Sequence, residues 1–215
     1  MKKRYEGYER LHIGKDELPY DMLRFWQLSL SDILFNMNRG TFAEYIVRCA
    51  LMEGGFNAFE YEDNGTIDPY DVTGPYIPSL NRQSRIEVKS TASIQSGSED
   101  KSEPFSLPDT KLIFGIRPAI DWSASTAGAR RNNDLYVFCH YKATRKSDDI
   151  LDLDLWDFYV YPTFMIEENP ILSKQKTISI YRLKKLGVMP QPFVNLYAEI
   201  SRCIAIISEH EKAGE

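Results

Sequence analysis

Glu87 and Lys89 stand two residues apart in Arg85–Thr91, the cleanest strand pattern in the chain. Alternation sends Ile86, Val88 and Ser90 to one face and Arg85, Glu87, Lys89 and Thr91 to the other. Asp71 comes earlier, near the end of a short candidate strand, Asp68–Thr73, that Pro69 breaks and Gly74 closes. If these two strands pair antiparallel, the Asp71 and Glu87 carboxylates converge at one end. Adjacent carboxylates repel and desolvate poorly unless a cation sits between them. Mg²⁺ is the natural cation, with Mn²⁺ as its substitute, because it takes oxygen ligands and keeps waters that can become nucleophiles. A neighbouring lysine can orient or deprotonate such a water, or stabilise charge on a phosphate.

Several elements must position these side chains. Thr41–Gly54 has helical spacing, with Phe42, Ile46, Cys49 and Ala50 as a stripe that Ala43, Val47 and Leu51 widen, and Gly54-Gly55 as its stop. Phe56–Tyr61, Lys111–Ile116, Trp156–Tyr161 and Thr177–Leu183 are strand candidates. Leu135–Tyr141 is apolar on both faces, as a central strand buried on two sides should be. Ser93–Pro108 reads as a loop and Lys142–Asp149 as a charged turn. Pro192–Glu211 closes the chain as a helix with Val194, Tyr197, Ile200, Ile204 and Ile207 on one stripe. The order predicts an α/β or α+β fold, a central mixed sheet flanked by helices. Residues 1–215 are expected to form one domain, with 1–37 as an N-terminal extension in which Leu23–Leu34 fits a short amphipathic helix loosely.

Composition narrows the function. A net charge of −5 excludes a protein coated in positive charge for non-specific DNA binding, but not a local basic groove. The longest apolar runs, Leu135–Cys139 and Cys203–Ile207, are five residues each, against roughly 20 for a bilayer span, so no membrane partner is expected. The basic first residues lack an apolar segment behind them and do not read as a secretory signal. Cys49, Cys139 and Cys203 lie far apart in apolar stretches and read as buried free thiols of a reducing cytoplasm.

The set Asp71, then Glu87-Val88-Lys89 in an apolar strand, resembles the PD-(D/E)XK, or restriction-endonuclease-like, nuclease superfamily. The resemblance spans about Arg39–Thr91, with Leu135–Tyr141 as a later core strand. It implies a restriction-endonuclease-like core and a Mg²⁺-dependent endonuclease hydrolysing DNA phosphodiester bonds, in a restriction or defence role. It also implies that Asp71 and Glu87 hold the metal, that Lys89 assists the water, and that Glu44 on the preceding helix reaches the same metal. Many enzymes of this type act as homodimers.

Alternatives stay open at several positions. Pro69 directly follows Asp68 and does not precede Asp71, so Asp68 is a rival metal ligand; Asp71 is favoured because Val72 follows it and it lies nearer the strand end. Thr41-Phe42-Ala43-Glu44 also fits a capping box, which would occupy the Glu44 side chain. Glu87 and Lys89 also fit a solvated strand face. Gln95, six residues beyond Lys89, reads as a loop residue. Arg39, Arg82, Arg85, Arg130, Arg131, Lys142, Arg145 and Lys146 are candidate phosphate contacts. His140 and the tyrosines of the later strands read as sheet packing. The competing functional reading is a catalytically inactive nucleic-acid-binding or interaction module on the same fold.

Overall fold

The computed structural model describes residues 5–60, 70–99, 103–120 and 129–214. An antiparallel hairpin, β1 (Arg10–Ile13) and β2 (Asp16–Asp21), leads into helix α1 (Met22–Leu30) and then the long helix α2 (Asn36–Glu53). The central sheet has four strands in the order β3 (Val72–Ile77), β4 (Arg82–Ala92), β8 (Leu135–Tyr141), β9 (Trp156–Pro162). Between them fall β5 (Ile113–Gly115), β6 (Ala119–Ile120) and β7 (Ala129–Arg130). After β9 come α3 (Thr163–Glu167), β10 (Thr177–Ser179), α4 (Ile180–Lys185) and α5 (Phe193–Gly214). In the sheet only β4 and β8 are parallel; β3 and β9 pair antiparallel at the two edges. This is the mixed sheet flanked by helices that the sequence predicts.

Strand alternation divides the core between the two faces of the sheet. Ile86, Val88, Val137, Cys139, Phe158 and Val160 face α2 and α5, where Ile46, Val47, Ile200 and Cys203 meet them. Tyr136, Phe138, Tyr159 and Tyr161 face the opposite way, onto Phe114 of β5, Ile178 of β10, Ile166 of α3 and Leu183 of α4. Each fully buried aliphatic or aromatic side chain contributes about 1.5–3 kcal/mol. Strand β8 is therefore covered on both faces, as its unbroken apolar run requires. The strand tyrosines Tyr136, Tyr141, Tyr159 and Tyr161 are all buried. Cys139 and Cys203 are buried free thiols, with burial raising both, Cys203 to about 12, while Cys49 is only half-buried.

Several boundaries differ from the sequence reading. Helix α2 starts at Asn36, five residues before Thr41, with Phe35 as an N-cap that makes no side-chain hydrogen bond. The expected strand Phe56–Tyr61 is a turn through Glu60, drawn back by Phe56 N–H donating to Leu51 O (2.9 Å) and Ala58 N–H to Phe56 O (2.9 Å); Tyr61 lies outside the described residues. Strand β3 begins at Val72 and runs through Gly74 and Pro75, where a register shift absorbs the proline on an edge strand. A Cβ at Gly74 would come within 2.5 Å of Ser84 Oγ and 2.6 Å of Ile86 Cδ1, so that glycine permits the close approach of β3 to β4. The segment Thr177–Leu183 turns helical because Ser179 Oγ accepts from Arg182 N–H (3.2 Å) as an N-cap. On α5, Val194 points to solvent at 83% exposure; Leu196, Ile200, Cys203, Ile204 and Ile207 make the buried stripe. Among the described residues no helix is long and apolar enough to cross a membrane.

One polar staple holds the start of the parallel pair. Arg82 donates to both Asp134 carboxylate oxygens (2.7 and 2.8 Å), and Asp134 Oδ2 also accepts from the Arg85 N–H (2.8 Å). Asp134 N–H donates to Arg85 O, and Thr163 N–H donates to Asp134 O, both at 2.8 Å. The Asp134 side chain is 10% exposed and that of Arg82 34%, so the carboxylate is the buried member. Asp134→Ala is expected to cost about 2–4 kcal/mol, since it strands a guanidinium and an N–H. Arg82→Ala should cost less. Urea midpoints at unchanged m-value test the order, and an equal or larger loss in Arg82→Ala would contradict it.

Candidate metal and phosphate site

The end of β3 builds the site. Val72 opposes Ile86, and β3 extends no further along β4 in that direction. Asp71, the next residue back, donates its N–H to Ile86 O (3.1 Å) and accepts the Val88 N–H on its own Oδ2 (2.8 Å). A side-chain carboxylate thus takes the place that a strand carbonyl would fill. Because Val88 lies between Glu87 and Lys89, that bond draws Asp71 onto the pair. Lys89 Nζ is 3.5 Å from Asp71 Oδ2 and in direct ion-pair contact with Glu87 Oε1. The side chains of Glu87, Asp71 and Lys89 are 20%, 26% and 32% exposed, a half-buried cluster open to solvent on one side. The structure brings these three predicted residues together. Asp68 lies outside the described residues.

Glu44, on helix α2, lies near enough to feel the charges of Asp71, Glu87 and Lys89, with no hydrogen bond or ion pair to them. Its expected alternative role is overturned: Thr41 lies inside the helix, where its hydroxyl donates to Met37 O (3.4 Å), so no capping box forms. Burial, with the charges of Asp71 and Glu87, pushes the Glu44 carboxyl up to about 7 against the pull of Arg48 and Lys89. Glu87 is likewise raised, by burial first and then by Asp71, although Lys89 opposes the rise. Burial alone would lower Lys89, but Asp71 and Glu87 outweigh it and hold the amine above its ordinary value. Lys89 is therefore a protonated donor in this arrangement.

Two further residues, neither of them a candidate from the sequence as a site residue, support the cluster. Arg48, one helical turn after Glu44, donates to Ala58 O (3.1 Å) and Asp71 O (3.0 Å) and so fixes the chain that presents Asp71. A Glu-x-x-x-Arg pair on an apolar helix was the available clue. Tyr136 stands opposite Glu87 in the β4–β8 register at 3% exposure. Burial and the Glu87 charge raise its phenol, while hydrogen bonds from Arg131 and Asn133 oppose the rise.

Most of the basic candidates are committed elsewhere. Arg39 is 1% exposed and donates to Leu34 O and Asn36 Oδ1, which removes it from the phosphate candidates. Arg82 holds Asp134, Arg85 lies over the Tyr70 ring, and Lys142 pairs with Asp157. Arg130 and Arg131 donate to Asn132 Oδ1 and Ile116 O, and Lys146 to Ser96 O. Arg145 is exposed. Gln95 is exposed, in a turn where its N–H donates to Ser98 Oγ. His140 is a sheet residue whose imidazole burial lowers to about 4, so it is neutral at pH 7.

Among the described residues no three or more His, Cys, Asp or Glu side chains are grouped so as to hold a metal ion together. The donor set still fits a hard divalent cation in kind. It offers only carboxylate oxygens, and Glu44 and Glu87 are raised by burial first and by the neighbouring acids second. The fold defines an α/β protein with a mixed sheet and an acidic cluster with one lysine at a strand end. Compared with known proteins, the chain matches no family model and no curated protein. Among solved structures it is similar to a bacterial homing endonuclease, at 16% identity over 65% of this chain and 74% of that one, with a TM-score of 0.36. A likeness that loose fixes neither the fold family nor an activity.

The raised Glu44 sets a pH dependence. Its folded value lies above its unfolded value, so its contribution is fully present below about 4.5 and is lost as pH rises through about 7. Glu44→Gln should leave the melting temperature unchanged near pH 4 and raise it at pH 8. The gain is about 1–2 kcal/mol, discounted because the group is partly solvated. Equal shifts at both pH values would show that Glu44 carries no unbalanced charge.

Proposed function

We propose that this chain is a Mg²⁺-dependent nuclease of the PD-(D/E)XK type that hydrolyses DNA phosphodiester bonds. The observation that carries the reading is the Asp71 carboxylate bound to the Val88 N–H between Glu87 and Lys89. Asp71 and Glu87 would hold the metal, with Glu44 completing its oxygen donors, and Mn²⁺ would substitute. A bound ion there would act as a Lewis acid on the phosphate.

The chain's own groups supply the rest. Lys89, kept protonated by its two acids, serves as a fixed charged donor that orients the attacking water and balances charge on the phosphate; in this state it is not a base. Arg48 holds the Asp71 backbone, and the aromatic wall of Tyr136 beneath Glu87 limits water on the sheet side. Substrate would approach from the solvent side of the cluster.

The competing reading is a binding module without chemistry. One feature favours it: Lys89 already sits between both carboxylates as an internal counter-ion. Cleavage of plasmid and oligonucleotide DNA, with RNA as a parallel substrate, in Mg²⁺ or Mn²⁺ separates the two. Cleavage should fall at least ~100-fold in Lys89→Ala and further in Glu87→Ala. Calorimetric titration of Mn²⁺ should lose its heat in Asp71→Ala but keep it in Lys89→Ala. Undiminished cleavage by the Glu87→Ala, Lys89→Ala double variant rejects the assignment. Absence of any Asp71-dependent metal heat leaves the binding module as the better account.

A further inference from the structure

Arg85 stands two residues before Glu87 on the same face of β4, where strand spacing separates their Cα atoms by roughly 6.6 Å. Its guanidinium lies over the Tyr70 ring, with Cζ 5.7 Å from the ring centroid. Tyr70 directly precedes Asp71, whose N–H is bonded to Ile86 O, so the ring belongs to the short segment that brings the first acid to the cluster. The ring is held at its far end as well. The Thr73 hydroxyl donates to the Tyr70 phenol oxygen (3.4 Å), and Thr73 stands opposite Arg85 in the β3–β4 register.

Stacking occupies the face of a guanidinium and leaves its N–H edge free. Among the described residues the half-buried Arg85 side chain makes no hydrogen bond and no ion pair. Two carboxylates that it could have taken are taken by others: Glu87 is in contact with Lys89, and Asp134, which accepts the Arg85 backbone N–H (2.8 Å), is gripped by the Arg82 fork. The other cations of this corner are spent. Lys89 serves both acids, Arg48 donates to two carbonyls, and Arg131 donates Nε to Ile116 O and has its Nη2 buried. Nothing within the fold uses the donors of Arg85.

We propose that Arg85 binds a phosphate of a DNA strand, next to the phosphate that meets the carboxylate cluster, and that Tyr70 aims its guanidinium for that contact. The inference rests on the nucleic-acid reading of the cluster and holds for an enzyme and for a binding module alike. Lys89, not Arg85, touches Asp71 and Glu87, so Arg85 acts one position further along the strand face. Its planar fork matches a phosphate, which accepts two parallel N–H bonds. Carboxylates repel a polyanion and the chain carries a net charge of −5, so a strand held here needs a cation that no acid of the protein has already paired. Such a contact fixes the register of the strand and carries no base information.

Fluorescence anisotropy of a short labelled DNA duplex tests it, titrated over a salt series with Ca²⁺ in place of Mg²⁺ and with intact strands confirmed on a denaturing gel. Arg85→Ala should weaken binding about 10-fold and lower the slope of log K against log salt by about 1, the loss of one phosphate contact. Arg85→Lys should keep the slope and recover only part of the affinity, because an ammonium is a point charge without the fork. Lys185→Ala removes an exposed cation that also lies over a tyrosine ring (Tyr181, 5.6 Å), on α4, and should change neither. The calorimetric heat of Mn²⁺ binding should be unchanged in Arg85→Ala. If Arg85→Ala loses its far-UV spectrum, Arg85→Gln is read in its place. Wild-type affinity and slope in Arg85→Ala, while Asp71→Ala abolishes duplex binding, overturn the inference and leave the nuclease reading standing. Loss of the Mn²⁺ heat in Arg85→Ala also overturns it, since Arg85 would then be supporting the cluster. A wild type that binds no duplex removes the nucleic-acid reading and this inference together.

Discussion

The hydrogen bond from the Val88 N–H to the Asp71 carboxylate is the constraint on which the polar cluster depends. It forms because β3 stops at Val72 while β4 continues to Ala92, which leaves a stretch of β4 without a strand on that side. Strand β4 is fixed on its other side by parallel pairing with β8 from Ile86 to Ala92. The cluster therefore has one rigid wall and one open edge. Glu87 and Lys89 belong to the wall, Asp71 closes the edge, and Arg48 holds the backbone of Asp71 from the helix side. A half-buried strand pair alone would leave the two acidic residues unrelated in space.

Electrostatics give this arrangement its character. Three carboxylates share a partly desolvated corner with one ammonium group, while the Arg48 guanidinium spends its donors on two carbonyls. Burial, and after it the charge of Asp71, pushes Glu44 to about 7 and raises Glu87 in spite of its contact with Lys89. Such a corner is costly for the fold, and structural ion pairs are usually arranged to avoid it. Contrast the Arg82–Asp134 staple, where a bidentate pair and a backbone N–H satisfy the carboxylate in full. Raised acids at a solvent-accessible edge are the pattern expected of a site for a cation.

Much of the frame was legible in the sequence because it follows from period. The alternation over Arg85–Thr91 and the unbroken apolar run Leu135–Tyr141 identify β4 and β8, and these two strands carry the core and half of the polar cluster. What was not legible turns on tertiary context. Helix α2 starts at Asn36 after an apolar N-cap, so Thr41 imitates a cap that is not used. Strand β3 survives Gly74 and Pro75 because it is an edge strand and because close approach to Ser84 and Ile86 requires the glycine. Arg39 has the sequence look of a surface cation, yet its guanidinium is buried on the carbonyl of Leu34, and nothing in local spacing marks that. Arg48 was missed for the related reason that its partners, Ala58 O and Asp71 O, are backbone atoms distant in the chain.

Coverage of the sheet explains where polar chemistry can sit at all. One face is sealed by α2 and α5, the other by the β5–β10 pair with α3 and α4, so the interior of the sheet admits no hydrated group. Along β4, the positions opposite Tyr136 and Phe138 are Glu87 and Lys89, and those aromatic neighbours are 3% and 0% exposed. Two charged side chains beside an aromatic wall stay ionised only if they reach water or each other. The early end of β3 supplies the water, and Asp71 supplies the second acid that keeps Lys89 charged. Extending β3 by two residues would replace the Asp71 carboxylate on Val88 with a carbonyl and bury the edge. The short strand is thus as necessary to the cluster as any of its charged residues.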